Sequence, residues 1–501
     1  MSGPGSGGRG AGGPGMGGPV TDSGADLSRA HLVGAGGAGM SAIGAILLDR
    51  GAQVAGSDAK GSHALTGLAA RGARTAIGQR AENLDLLPGG PTAVVVSSAI
   101  RPDNPEVVEA RRRGLPVVRR AEALAALMSG RRAVCVAGTH GKTSTTSMLT
   151  VALQHAGLDP SFAIGGELNE SGTGAHAGSG DVFVAEADES DGSFLCFSPH
   201  GAIVTTVEPD HLDHHGTAEA YAAVFEQFVG RITPGGFLVA GVDDEGVRDL
   251  LAVVRGASGG AGVPRIVGYG RSPDADVRVL EMAVHGHGGS ARLELSSGER
   301  VDLTIGVPGE HMLANAAAAL AAGVELGVPP TAMAAGLAAY TGVRRRFEYK
   351  GRVGSVRVYD DYAHHPTEVA ATVAAARAIT EGGRLVVVFQ PHLYSRTATF
   401  ATQFGRALAG ADLAVVLDVY GAREDPQPGV SGRLIADAVP SGSARVHYLP
   451  SLARAPAELA ALLRDGDVVI TMGAGDVTML GPELLDELDR RSASGPRGWQ
   501  R

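Results

Sequence analysis

The stretch AVCVAGTHGKTSTT (133–146) decides the fold. Its first five residues form an apolar run of the length of a buried strand, and the residues from Thr143 onward read as a helix. Between them lie Gly138, Thr139, His140 and Gly141. A strand that ends in a glycine loop and runs straight into a helix aims backbone N–H groups at one point, with the positive end of the helix behind them. That is a cradle for phosphate, in which Lys142 reaches the β- and γ-phosphates and the Thr143 hydroxyl holds Mg²⁺. Val136 stands where the general pattern has its first glycine. Of 43 basic residues only Lys60, Lys142 and Lys350 are lysines, so a lysine retained in this loop points to a need for a compact ammonium. The alternative is a solvated turn that merely caps a helix.

Strands and helices alternate on either side of this loop. His31–Val33, 54–58 and 93–98 read as strands with helical stretches between them, and further strands follow at 182–185 and 202–207. Three more apolar strands, 385–389, 413–417 and 468–471, end in polar residues or glycine. The reading is an α/β protein of three domains: a Rossmann-like N-terminal domain, a central P-loop ATPase-like parallel sheet and a Rossmann-like C-terminal domain. The expected boundaries are a disordered tail over 1–27, domains over 28–129, 130–342 and 343–490, and a second tail over 491–501. The glycine-rich stretch 252–298 carries short alternating strands and no motif.

Composition agrees with a globular chain. Apolar residues make up 44% and charged residues 19% of 501, and the net charge of −10 gives no electrostatic footprint for nucleic acid. No charge-free apolar run reaches the roughly 18 residues a membrane span needs. The first twenty residues lack the apolar segment of a signal peptide, and Cys135 and Cys196 make no disulfide framework, which suits a reducing cytoplasm. Monomer and homodimer remain equally open.

Two acidic clusters follow the loop. The strand at 182–185 delivers Glu186, Asp188, Glu189 and Asp191, which repel one another unless a cation sits among them. Glu186 with Thr143 makes an oxygen-donor site for Mg²⁺, and His211, in EPDHLDHH (208–215), is placed to complete a second site or orient a phosphate. Near the N-terminus Gly34, Gly36 and Gly39 follow a strand, and Asp58 lies nineteen residues beyond Gly39. That fingerprint binds the pyrophosphate of a nucleotide with the acid on a ribose, and taken alone it reads as an NAD-dependent oxidoreductase. Ser97 and Ser98 are further phosphate candidates.

The ordered set HLVGAGGAGMSAIG (31–44), AGTHGKTSTT (137–146), EADESDGSF (186–194), EPDHLDHHG (208–216), RRFE (345–348), DDYAHHPTE (360–368) and FQPHLYSRT (389–397) resembles the Mur ligases, ATP-dependent amide ligases of peptidoglycan synthesis. GAREDPQPGVSG (421–432) and MGAGD (472–476) extend the resemblance to nearly the whole chain. It implies an ADP-forming ligase that works through an acyl phosphate, and it is closest to the branch that adds L-alanine to UDP-N-acetylmuramate. It further implies ATP on Gly138, Thr139, His140, Gly141, Lys142, Thr143, Ser144, His311, Asn315, Arg346 and Asp361, and Mg²⁺ on Thr143, Glu186 and His211. Catalysis would rest on Lys142, Glu186, His211 and Arg346. The UDP substrate falls to Gly34, Gly36, Gly37, Gly39, Met40, Asp58, Ser97 and Ser98, and the amino acid to Tyr362, His364 and Arg396. Met312 and Leu393 depart from the family pattern. The absence of lysine between Lys142 and Lys350 disfavours the branches that use a carbamylated lysine. Because such ligases close their third domain, Arg346 and Asp361 are expected to stand away from the loop when no ligand is bound. A ligase for a recycled tripeptide and a non-catalytic nucleotide switch are the remaining alternatives.

Overall fold

The computed structural model describes residues 19–97, 99–257, 263–422 and 424–493. They divide into two compact units, one ending at Ser129 and one beginning at Gly130.

The first unit is a five-stranded parallel sheet of β1 (Arg29–Val33), β2 (Gln53–Asp58), β3 (Arg74–Ile77), β4 (Ala93–Val96) and β5 (Val117–Arg119), in the order β3-β2-β1-β4-β5. The order reverses between β1 and β4, and it is at the carboxyl ends of strands at such a switch point that these sheets bind ligands. Residues 19–27, expected within a disordered tail, are folded: Val20 bridges Asp26, Leu27 N donates to Pro19 O at 2.9 Å, and Leu27 is wholly buried. A turn at Gly24 lets this short segment bury Ala25 and Leu27, which a count of apolar residues over 1–27 does not register. Residues 1–18, 491–501 beyond Ala493, and Ser98 lie outside the described residues.

The second unit holds two sheets. The larger comprises β6 (Arg132–Ala137), β7 (Ser161–Ala163), β8 (Ala175–His176), β9 (Val182–Glu186), β10 (Gly201–Val204), β11 (Phe237–Gly241), β12 (Arg265–Gly270), β13 (Val277–His285), β14 (Gly288–Leu295) and β15 (Arg300–Ile305). Its order is β15-β14-β13-β12-β11-β10-β6-β9-β7-β8. The run from β13 to β7 is parallel, and β14–β15 and β8 add antiparallel edges. The motif-free stretch 252–298 thus supplies β12, β13 and most of the antiparallel edge. The smaller sheet comprises β16 (Glu348–Val353), β17 (Val356–Asp361), β18 (Leu385–Phe389), β19 (Leu413–Val416), β20 (Arg445–Tyr448) and β21 (Val468–Met472) in the order β16-β17-β21-β18-β19-β20, parallel except for β16.

The helix after the glycine loop, Lys142–His155, is buried along most of its length although it is rich in Thr and Ser. The hydroxyls of Thr146, Ser147 and Thr150 donate to the carbonyls four residues earlier, at 2.8 Å each, which satisfies them inside the helix. It packs with the alanine-rich helix Glu310–Glu325 in one apolar core. Strand β10 stops at Val204, three residues short of the expected end. Thr205 and Thr206 leave the sheet to hydrogen-bond the phosphate loop instead.

A buried carboxylate organises the first unit. Glu106, fully enclosed, accepts from His31 Nε2 at 2.9 Å, Ser57 Oγ at 2.7 Å, Asn83 Nδ2 at 2.6 Å and Arg80 N at 3.1 Å. Burial opposes its charge, but the hydrogen bonds from His31, Asn83 and Ser57 outweigh that and hold its pKa below the ordinary value. Glu106→Ala strands four donors and is expected to cost about 3 kcal/mol or more in urea unfolding of the full chain. The depressed pKa makes the carboxylate's contribution present at neutral pH and lost as pH falls through the folded value, so the mutant's deficit should shrink in acid.

Candidate active site

The phosphate loop is pinned from below. Thr139 N donates to Thr206 O at 2.9 Å, His140 N to Thr206 Oγ1 at 3.1 Å, and Thr205 N to Ala137 O at 3.1 Å. The approach is so close that Gly138, at φ +127°, has no room for a side chain: a Cβ there would lie 2.1 Å from Thr205 Oγ1. Gly141, at φ +79°, faces Asn315 Oδ1 in the same way, at 2.6 Å from an added Cβ.

Lys142, Thr143, Glu186 and Arg346 meet at the mouth of this loop. Lys142 Nζ donates to Gly138 O at 2.7 Å, Thr139 O at 3.1 Å and Glu189 Oε1 at 2.9 Å. Thr143 Oγ1 donates to Glu186 Oε1 at 3.0 Å and accepts from Arg346 Nη2 at 3.1 Å. Glu186 Oε2 accepts from Gly165 N at 2.7 Å. A hydroxyl and a carboxylate in contact at the head of a helix are the hard oxygen donors Mg²⁺ prefers, so Thr143 and Glu186 fit that ion. His211 stands nearby in a left-handed conformation (φ 51°), its Nε2 3.6 Å from Asp210 Oδ2.

Electrostatics follow from burial. Desolvation alone would lower the Lys142 pKa, but Glu189 and Asp188 hold the ammonium above its ordinary value. Burial pushes the Glu189 carboxyl up to about 7 against the pull of Lys142. Asp210 is buried, yet Arg396 and His211 keep its carboxyl well below the usual range.

Beside the loop lies a cavity of about 230 Å³. His140, Gly141, Ser144, His311, Asn315, Arg346 and Asp361, all assigned to ATP from the sequence, line it together with Met312. Gly138 and Thr139 belong to the loop itself. Tyr269, Gly270, Thr367 and Glu368 also line the cavity and were missed, because the first two lie in the motif-free stretch and the other two read as an ordinary helix start. Asp361 is committed to the backbone: Oδ2 accepts from Phe347 N and Oδ1 from Ala363 N, both at 2.7 Å. Burial raises its pKa to about 6 in spite of Arg346. Arg346 and Asp361 therefore stand against the loop, contrary to the expectation that they are held away from it. The smaller sheet is closed onto it.

Polar contacts make that closure. His140 places Nε2 3.3 Å from Glu208 Oε2 and Nδ1 3.2 Å from Glu368 Oε1, and Thr367 Oγ1 donates to Glu208 Oε2 at 2.7 Å. Arg396 Nη2 donates to Asp210 Oδ1 at 2.7 Å, and both side chains are almost fully buried. Arg396, expected to await the carboxylate of an amino acid, is thus already paired within the protein. Tyr362 lies under two guanidinium groups, Arg345 at 4.6 Å and Arg346 at 5.0 Å from its ring centre. Burial lowers the His364 pKa to about 3, so its imidazole is neutral and a weak base. This favours an orienting role over proton abstraction.

The N-terminal glycine site belongs to the first unit. Gly36 N donates to Asp58 Oδ2 at 2.9 Å, so the acid expected on a ribose also holds the glycine loop. Gly34 turns at φ +83° beside Ser97, and Gly37 caps the helix Ala38–Asp49. Met40, expected at the ligand, is buried in the unit's interior. Arg120 lies against Gly39, 2.5 Å from where a Cβ would stand, and Ser62 Oγ lies equally close over Gly36 at 2.6 Å. Both were missed, since neither belongs to the fingerprint.

Two measurements check this arrangement. Burial opposes charge on His140, but Glu208 and Glu368 outweigh it and raise its pKa to about 9. Its stabilising contribution is therefore complete below about pH 6.5 and lost as pH rises through 9. Thermal melts should show the wild type losing stability across that window and His140→Gln losing less. Arg396→Ala leaves Asp210 buried without a counter-charge and is expected to cost about 3–5 kcal/mol in urea unfolding, with Asp210→Ala/Arg396→Ala partly restoring it.

Comparison with known proteins places these features in a family. Three family profiles match in chain order: the Mur ligase family catalytic domain over 29–132, the Mur ligase middle domain over 136–323 and the Mur ligase glutamate ligase domain over 345–475. The UDP-N-acetylmuramate–L-alanine ligase of Saccharopolyspora erythraea is 62% identical over 470 residues, covering 93% of this chain and 95% of that one. Its namesake in Rhodococcus jostii is 55% identical over 499 residues, covering 94% and 98%. Among solved structures, the UDP-N-acetylmuramate–alanine ligase of Thermotoga maritima matches with a TM-score of 0.76 at 28% identity over 93% of this chain and 100% of that one. A murein peptide ligase from Psychrobacter arcticus shares the fold at a TM-score of 0.67 and 24% identity, over 92% and 98% of the two chains. With its three domain profiles in order along the sequence, this chain belongs to the Mur ligase family.

Proposed function

We propose that the chain joins L-alanine to UDP-N-acetylmuramate with conversion of ATP to ADP and phosphate, a step of peptidoglycan precursor synthesis in the cytoplasm. The convergence of Lys142, Thr143, Glu186 and Arg346 at one loop mouth, beside a cavity closed by Asp361, is the observation that carries this reading. Relatives named for that reaction, similar over nearly the whole length, support the choice of substrates.

The chemistry suits these residues. The substrate carboxylate attacks the γ-phosphorus of ATP, the bond to the β,γ-bridging oxygen breaks, and ADP leaves an acyl phosphate. The neutral amine of L-alanine then attacks the acyl carbon, and the tetrahedral intermediate expels phosphate to leave the amide. Both steps move negative charge among oxygens, so the protein's task is to neutralise and position rather than to form a covalent bond. Lys142 and Arg346 supply fixed positive charge on either side of Thr143. Thr143 and Glu186 would hold Mg²⁺, which when bound offsets phosphate charge. Asn315 and His311 line the cavity for the base, and Asp361 fixes the Phe347 and Ala363 backbone that closes it. His211 is suited to the phosphates from the far side of Asp210. Tyr362 and His364 shape the amine side, while Arg396 acts through Asp210. The glycine loop of the first unit, with Ser97, takes the UDP pyrophosphate, and Asp58 takes the ribose.

Phosphate release from ATP and Mg²⁺, with each substrate omitted in turn, tests the proposal. Release is expected only with both UDP-N-acetylmuramate and L-alanine. Release with a tripeptide in place of L-alanine would move the chain to the recycling branch, and hydride transfer with NAD would move it to the oxidoreductases. Lys142→Ala should lower phosphate release by at least about 100-fold. Binding of UDP-N-acetylmuramate, followed by calorimetry, should stay near wild type, because its site lies on the other unit.

A further inference from the structure

Where the phosphate loop meets the smaller sheet, His140, Glu208 and His365 each offer one ligand atom, and these atoms all lie within 4.8 Å of one another. It is the one such group of three His, Cys, Asp or Glu residues among the described residues. The three come from separate elements: the loop after β6, the run after β10, and the N-cap of the helix Pro366–Ala378. His140 Nε2 lies 3.3 Å and His365 Nδ1 4.0 Å from the same oxygen, Glu208 Oε2. The two imidazole rings face each other at 4.7 Å.

His365 is only 5% exposed, and it caps the helix Pro366–Ala378 through Nδ1 alone. Nδ1 accepts from Thr367 N at a long 3.4 Å, and the buried Nε2 has no hydrogen-bond partner. A buried polar nitrogen left unpaired is costly, and a metal bond from the ring would offset part of that cost. His140 adds a second sign. Its Nδ1 is backed by Glu368 Oε1 at 3.2 Å, the carboxylate-behind-imidazole arrangement that orients a histidine toward a metal through its other nitrogen.

We propose that His140, Glu208 and His365 bind a divalent transition-metal ion of the zinc class, which displaces to solvent the proton that Glu208 and Glu368 otherwise hold on His140. Two imidazoles and one carboxylate match the donors such ions take with a fourth position left for water, whereas Mg²⁺ prefers all-oxygen sites. The site is therefore distinct in chemistry from the Thr143–Glu186 pair. Zinc–ligand bonds of about 2.0–2.2 Å in a tetrahedron put neighbouring ligand atoms roughly 3.3–3.6 Å apart. The His140–Glu208 pair already has that spacing, and the His365–Glu208 pair, at 4.0 Å, must shorten by roughly half an ångström. Because His140 and Glu208 sit on the larger sheet's side and His365 on the smaller, the ion would tie the two together in the closed arrangement.

The test is zinc binding to the full chain in millimolar Mg²⁺, read by calorimetry and by anomalous scattering at the zinc edge. One ion per chain is expected, with its scattering peak between His140 and His365. His365→Asn keeps an oxygen able to cap the helix and should weaken binding at least about tenfold. Should that variant fold poorly, Glu208→Gln and His140→Asn carry the same comparison. Unchanged affinity in these variants, or a peak at Glu186 and His211 instead, would overturn the proposal.

Discussion

The grip of Thr205 and Thr206 on the phosphate loop is the constraint from which the rest of the site follows. Those two residues leave β10 early and spend their hydrogen-bonding groups on Thr139, His140 and the end of β6. The loop is thereby held so tightly that position 138 tolerates no Cβ. A loop fixed in this way holds Lys142 and Thr143 at a set height above the sheet. Glu186, at the end of the adjacent β9, then arrives within hydrogen-bond distance of Thr143 with no further adjustment. Arg346 reaches the same hydroxyl from the linker between the two sheets.

Charge is handled by pairing at every depth. Lys142 is enclosed by its own loop carbonyls and by Glu189, and Asp210 by Arg396 and His211. In the first unit Glu106 is held in a comparable way, by four hydrogen bonds from three segments. Such groups stabilise only as sets. Removing one member leaves the others buried and unpaired, which costs more than the pair contributes.

Much of this was legible in the sequence, and the exceptions have physical reasons. Strand–loop–helix order around 133–146 carries its own signal, since a short apolar run, two glycines and a lysine leave few other conformations. The parallel centre of each sheet could be read from its apolar runs. What the runs could not show is where a residue's hydrogen bonds go. Thr205 and Thr206 look as β-branched as the strand they follow, yet they serve the loop. Met40 sits inside a glycine motif but faces the interior, and Arg396 sits in a polar motif but is claimed by Asp210, 186 positions away in the chain. Ser62 and Arg120 approach the N-terminal glycines from distant segments, which no local pattern records. The turn that folds residues 19–27 depends on two buried side chains, too few to stand out in composition.

The buried apolar clusters of the two sheets in the second unit share no residue: one ends at Val343 and the next begins at Phe347. What crosses between them is charge and hydrogen bonding, through Asp210–Arg396, His140 with Glu208 and Glu368, and Thr367–Glu208. Parting the sheets therefore exposes many ions, together with the small apolar contact of Ala375 at Gly309. An opening of that kind carries little of the positive heat-capacity change that accompanies exposure of apolar surface, and its balance answers to ionic strength more than to temperature. The seam between these sheets is, in thermodynamic character, closer to a salt than to a core.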